Sequence, residues 1–125
     1  MRLLLDTHAI IWYAQGSPSL SNAARDSMER EECFFSMASL WEIAIKQRLG
    51  KLGFSASIPA IATFCEAAGF HPLEIAPAHA EAVKTLPDIH RDPFDRMLVA
   101  QAQVERLTIV TTDSFIPQYP VTTVW

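Results

Sequence analysis

Apolar and polar positions follow two spacings along this chain, and each switch between them marks an element. Arg2 is followed by Leu3-Leu4-Leu5, a short wholly apolar run that stops at Asp6-Thr7, as expected of a strand buried on both faces. An amphipathic stretch from His8 to Ala14 comes next and breaks at Gly16-Ser17-Pro18, so the chain opens with a strand-to-helix unit. Ser21 caps a polar helix to about Arg30, with Ala24 and Met28 facing inward, and Cys33-Phe34-Phe35 is a second buried strand. Ser36 caps a helix to Leu49, closed by Gly50, with Leu40, Trp41, Ala44 and Ile45 as its apolar stripe.

Gly53 to Ser57 is a turn region, Pro59 starts a helix through Ala68, and Gly69 ends it. Phe70 to Ile75 is a third strand around His71-Pro72, and Pro77 opens a helix to about Leu86. Pro93 starts a further helix that runs to Glu105 or Arg106; Thr108 to Thr112 and Val121 to Val124 are the last strands. Strands alternating with helices need crossovers, so the expected fold is α/β, with a central parallel sheet covered on both faces. At 125 residues and 13.9 kDa the expectation is one domain, spanning residues 1–125, with no internal repeat.

Composition changes this picture in three places. Half the residues are hydrophobic and the mean hydropathy is +0.13, so some apolar surface is expected to serve a partner or a second copy; Trp12, Trp41 and Trp125 fit that use as well as they fit a core. A net charge of -4 excludes a broad basic footprint for nucleic acid. Cys33 and Cys65 lie far apart among apolar neighbours, which predicts two reduced, buried thiols. Leu3-Leu4-Leu5 is too short for a leader or a membrane span, and the expectation is a soluble, cytoplasmic protein with no membrane partner.

The chemistry concentrates in His90-Arg91-Asp92-Pro93-Phe94-Asp95-Arg96. Asp92 is a good N-cap, Pro93 suits the first helical position, and Asp95 sits where a carboxylate can bond back to the cap's N–H. Helix chemistry thus explains both acids, yet it leaves out Asp6 and Asp113, which directly follow strands, and Glu42, in the second turn of its helix. In a parallel α/β sheet the functional crevice lies at the carboxyl ends of the strands, and all four of Asp6, Glu42, Asp95 and Asp113 can face it.

Unit charges ~4 Å apart at an effective dielectric of ~20 interact by about 4 kcal/mol, so such a cluster takes up protons or recruits a cation. An all-oxygen set without histidine suits Mg²⁺ or Mn²⁺ better than Zn²⁺, and points to metal-assisted phosphodiester hydrolysis. Thr7, Thr111 and Thr112 offer hydroxyls beside two of the acids, and Arg91 and Arg96 are placed to grip phosphate. Lys46, Arg48 and Lys51 gather at a helix C-terminus, where they complement the dipole. His8, His71, His79 and His90 show no paired spacing and receive no catalytic role.

Leu3-Leu4-Leu5-Asp6-Thr7-His8, Ser39-Leu40-Trp41-Glu42-Ile43, the His90–Arg96 block with Ala100-Gln101-Ala102, and Thr111-Thr112-Asp113 together resemble the PIN-domain ribonucleases. The likeness is closest to the VapC-type toxins of bacterial type II toxin–antitoxin systems, and it spans nearly the whole chain. It implies a three-layer α/β/α domain, an endoribonuclease that uses Mg²⁺ or Mn²⁺ on tRNA or rRNA, a homodimer, and inhibition by a cognate antitoxin. It also implies Asp6 and Asp95 as principal metal ligands, Glu42 as the second acid and Asp113 as the fourth, and Asp92 matches its block; Asp92, Arg96, Thr7 and Thr112 complete the candidate set as accessory residues, the last three on their own chemistry. No acidic position departs from the pattern.

Two other classes compete. A PIN-fold binding module with weak catalysis would act through an antitoxin complex on operator DNA, which it would reach only indirectly. A phosphatase or receiver domain also collects acids at strand ends, but the first needs a second Asp at His8 and the second a Lys where Thr111-Thr112-Asp113 stands.

Overall fold

A computed structural model describes residues 1–125. Its elements are β1 (Arg2–Leu5), α1 (Thr7–Gln15), α2 (Asn22–Arg30), β2 (Glu32–Ser36), α3 (Met37–Arg48), α4 (Ile58–Ala67), β3 (His71–Leu73), α5 (Pro77–Val83), α6 (Pro93–Glu105), β4 (Thr108–Val110) and β5 (Thr123–Val124). A 3₁₀ turn at Ile116–Gln118 lies between β4 and β5.

The five strands form one all-parallel sheet in the order β3-β2-β1-β4-β5. Period-two alternation along each strand divides the core between its faces. Leu3, Leu5, Cys33, Phe35 and Val110 join residues of α1 to α4 on one side, while Leu4 and Ile109 join α6 and the end of α5 on the other. The result is the three-layer α/β/α arrangement. Leu3, Leu4 and Leu5 are fully buried, which is why the first strand is apolar after the exposed Arg2.

Differences from the expected bounds have local causes. β3 shrinks to three residues at the edge of the sheet, where Pro72 can be tolerated because its missing N–H breaks no central ladder. α5 stops at Val83, since Leu86 precedes Pro87 and is pushed away from helical backbone. On α3 the inward residues include Ala38, Leu40 and Ile43; of the expected stripe Leu40 is buried, Ala44 and Ile45 are half-buried, and Trp41 is 61% exposed. Cys33 and Cys65 are both buried and free, and burial pushes their thiols up to about 12 and about 11. No helix is long and apolar enough to cross a membrane.

Candidate metal centre

The chain runs from β1 to one side of the sheet and returns through β4 on the other, so the gap between the carboxyl ends of these two strands is the topological switch point. Asp6 and Asp113 stand there. Asp6 is the N-cap of α1: its Oδ1 accepts from Ala9 N–H at 2.7 Å, and its own N–H donates to Val110 C=O at 3.1 Å. Asp113 Oδ1 accepts from the N–H groups of Phe115 and Ile116, at 2.7 and 3.1 Å, which fixes the turn after β4.

Glu42 reaches the same place from α3. It is 3% exposed, and both carboxylate oxygens are engaged: Thr7 Oγ1 donates to Oε1 at 2.5 Å and Lys46 Nζ to Oε2 at 2.6 Å. Asp95 arrives from the first turn of α6. Asp92 Oδ1 caps that turn, accepting from Phe94 and Asp95 N–H at 2.8 and 3.3 Å. The expected return bond from Asp95 to the cap is not made. Asp92 N–H donates instead to His90 Nδ1 at 3.2 Å, and the Asp95 carboxylate is released from helix duty.

Together these residues line a cavity of about 370 Å³ that also includes His8, Trp12 and Thr112. Thr7 is buried beneath Glu42, and Thr112 is on the rim. Arg96 and Arg91 are not part of it. The Arg96 guanidinium donates to Pro87 C=O at 2.9 Å and Tyr119 Oη at 3.3 Å, tying down the loop before α6, so its expected phosphate grip is corrected to a structural clamp. Arg91 is exposed beside a neighbouring apolar groove.

Lys46 and His90 are the residues that sequence reasoning missed. Lys46, expected to serve the helix dipole, is the pocket's only Lys or Arg side chain; its signal was the i, i+4 spacing from Glu42. His90 lies 3.0 Å from Asp95 Oδ2 and 3.3 Å from Asp113 Oδ2 through Nε2. Its signal was its place two residues before a cap.

The donor set fits a hard divalent cation. Four carboxylates and Asp92 face one lysine, and the acids respond to the surplus of negative charge. Burial raises the Asp6 carboxyl, which is only 6% exposed. Burial, then the charges of Asp92 and Glu42, push Asp95 up to about 7, with His90 pulling the other way. A cation bound by oxygens would remove that repulsion, and Asp6, Glu42, Asp95 and Asp113, which line the pocket together, are the carboxylates that could hold it.

This geometry has a pH signature. An unfolded Asp loses its proton near pH ~4, so between about pH 4 and 7 the folded chain keeps a proton that the unfolded chain has released. Stability of the metal-free protein is therefore expected to fall as pH rises through that window, with Asp6 acting in the same sense. Thermal melts in EDTA should give a higher midpoint near pH 5 than near pH 7.5, and Mg²⁺ should recover the loss. Equal midpoints in EDTA would show that Asp95 carries no retained proton.

An acid-lined pocket at the switch point of a parallel three-layer sheet defines the class: an α/β domain with a carboxylate centre. Within that class the family is shown by sequence, because the PIN-domain model matches residues 3–121. The chain belongs to the PIN-domain family. Among curated proteins none matches the sequence. Among solved structures, VapBC2 from Rickettsia felis, bound to a DNA fragment from its promoter, superposes with a TM-score of 0.73 at 13% identity, covering 99% of this chain and 98% of that one. VapBC-1 from nontypeable Haemophilus influenzae gives 0.68 at 16%, covering 99% and 97%. VapC20 from Mycobacterium tuberculosis, described as a sarcin-ricin loop cleaving toxin, gives 0.64 at 14%, covering 93% of each chain.

Proposed function

We propose that this protein is a divalent-metal-dependent endoribonuclease and the toxin of a toxin–antitoxin pair. The observation that carries it is the convergence of Asp6, Glu42, Asp95 and Asp113 from four separate elements on one under-neutralised pocket. A cation held there, Mg²⁺ or Mn²⁺, supplies Lewis acidity that polarises a phosphodiester and lowers the pKa of water. The chain's own residues do the rest. Thr7 orients Glu42 through its hydroxyl, and Lys46, ion-paired to Glu42, offers the pocket's one Lys or Arg charge to a phosphate approaching an acidic cavity. Trp12, the pocket's only hydrophobic lining residue, meets His8 in a tilted contact at 5.2 Å and offers a ring to an unpaired base, which favours a single-stranded or looped RNA such as tRNA or rRNA. The same acidic pocket suits an arginine presented by an antitoxin, and the fold's likeness to toxin–antitoxin complexes supports that partner.

The test is incubation of purified protein with total tRNA and rRNA in Mg²⁺, Mn²⁺ and EDTA. Discrete fragments in metal and none in EDTA are expected; intact RNA under every condition would leave partner binding as the function.

The homodimer is assigned to the face beside the pocket. Trp41, Ile75, Phe94 and Met97 line an apolar groove of about 400 Å³, Trp41 meets Phe94 edge-on at 5.2 Å, and Trp41 and Phe94 adjoin Glu42 and Asp95 in the chain. A second copy seated there covers the apolar surplus noted in the composition. Trp41→Glu is expected to give a folded monomer, because Trp41 is already exposed. Light scattering on wild type and variant decides this: a monomeric wild type or a dimeric variant removes the assignment.

A further inference from the structure

We propose that His90 is a positioning residue of this centre: its Nε2–H ties Asp95 to Asp113, and it is not itself a metal ligand. The inference rests on the metal-centre reading above. His90 Nε2 and one oxygen each of Asp95 and Asp113 lie within 4.8 Å of one another, which at first sight is a three-ligand metal site. The other ring nitrogen decides the matter. Asp92 N–H donates to Nδ1 at 3.2 Å, so Nδ1 holds the lone pair and the ring proton sits on Nε2. A protonated nitrogen has no lone pair for a cation. It is a donor, hydrogen-bonded to Asp113 Oδ2 at 3.3 Å, and the same N–H edge of the ring faces Asp95 Oδ2 at 3.0 Å.

Everything around the ring holds it in that pose. His90 N–H donates to Tyr119 Oη at 2.7 Å, Arg96 clamps the Pro87 and His90 carbonyls at 2.9 and 3.5 Å, and the ring packs on Phe115 at 5.0 Å. Asp113 is equally constrained, because the backbone of the following turn holds its Oδ1. An acid fixed by the turn after β4 thus orients an imidazole, and the imidazole orients the acid on α6. Asp95 Oδ2 is kept against the ring at 3.0 Å, and its other oxygen is left for a cation. Arg96, Tyr119 and Asp92, none of which needs to touch substrate, serve the centre through this one ring.

Hydrogen-bond partners that orient ligands typically change metal affinity by about 10- to 100-fold when removed. His90→Ala in the full chain is therefore expected to weaken Mn²⁺ binding by roughly that factor, followed by the EPR signal of the free ion. His90→Gln, whose amide N–H can reach the same acids, is expected to recover most of the loss, with circular dichroism confirming that both variants fold. NMR of ¹⁵N-histidine protein should show Nε2 protonated and Nδ1 bare, both metal-free and in Mg²⁺. Loss of the Nε2 proton on adding Mg²⁺ would make His90 a ligand and overturn the proposal. So would an Ala variant that binds Mn²⁺ like wild type, or a Gln variant no better than Ala. Wild type that binds neither ion removes the metal centre itself and this inference with it, an outcome distinct from the others.

Discussion

Asp95→Asn is expected to cut metal-dependent RNA cleavage by about a thousand-fold while raising the melting point of the metal-free protein. The substitution is nearly isosteric and removes one ligand charge. A unit charge ~4 Å from a cation at an effective dielectric of ~20 is worth about 4 kcal/mol, and each 1.36 kcal/mol is tenfold in rate, which gives the factor. The same charge is a burden without metal, since burial and the carboxylates of Asp92 and Glu42 already push the Asp95 carboxyl up to about 7. Loss of function and gain of stability should therefore appear in one variant. Asp92→Asn is the control: asparagine caps as well as aspartate, and Asp92 Oδ1 is spent on the helix, so cleavage should stay within about tenfold of wild type. Single-turnover cleavage and thermal melts in EDTA provide both readouts. An Asp95→Asn enzyme at the wild-type rate would remove Asp95 from the centre.

Gln101→Leu is expected to destabilise the fold by about 2–3 kcal/mol, or roughly 10 °C in melting temperature. Gln101 is fully buried and joins four segments at once. Its Oε1 accepts from Ser36 Oγ at 2.6 Å, and its Nε2 donates to Glu74 C=O at 3.3 Å and lies 3.4 Å from His79 Nδ1. His79, also buried, accepts from Ala76 N–H at 2.9 Å and bonds Glu105 through Nε2 at 2.8 Å. Leucine fills much the same volume, so the loss isolates the polar groups left without partners rather than a cavity. Urea unfolding measures it. An unfolding free energy within about 0.5 kcal/mol of wild type would mean that the network adds little beyond its packing.

Most of the fold was legible because each local signal agreed with the others. Leu3-Leu4-Leu5 can only be a strand buried on both sides, and Ser21, Ser36 and Asp92 cap the helices whose starts they mark. Four of the pocket's acids were legible for the same reason, since strand ends and the first two turns of the helices beside them have fixed places in a parallel sheet. Side-chain direction was not. Lys46 and Arg96 are both basic residues near acids, yet one enters the pocket and the other turns to the carbonyls of a loop that only tertiary packing brings near. His90 escaped because its partners Asp113 and Tyr119 lie more than twenty residues downstream. Trp41 was misplaced because the stripe on α3 is set by what the sheet presents, and the helix itself is apolar on more than one side.

The central position of β1 also sets an order of events during folding. Leu5 aligns with Val110, so the first strand of the chain gains its second neighbour only when nearly the whole sequence is present. Pairings of such long range close slowly, because a large loop must be ordered before any contact rewards it. Asp6 waits in half a sheet until β4 docks and brings Asp113 with it. A chain still emerging during synthesis therefore has Asp6 without Asp113 beside it, and the centre cannot be complete until β4 has been made and paired.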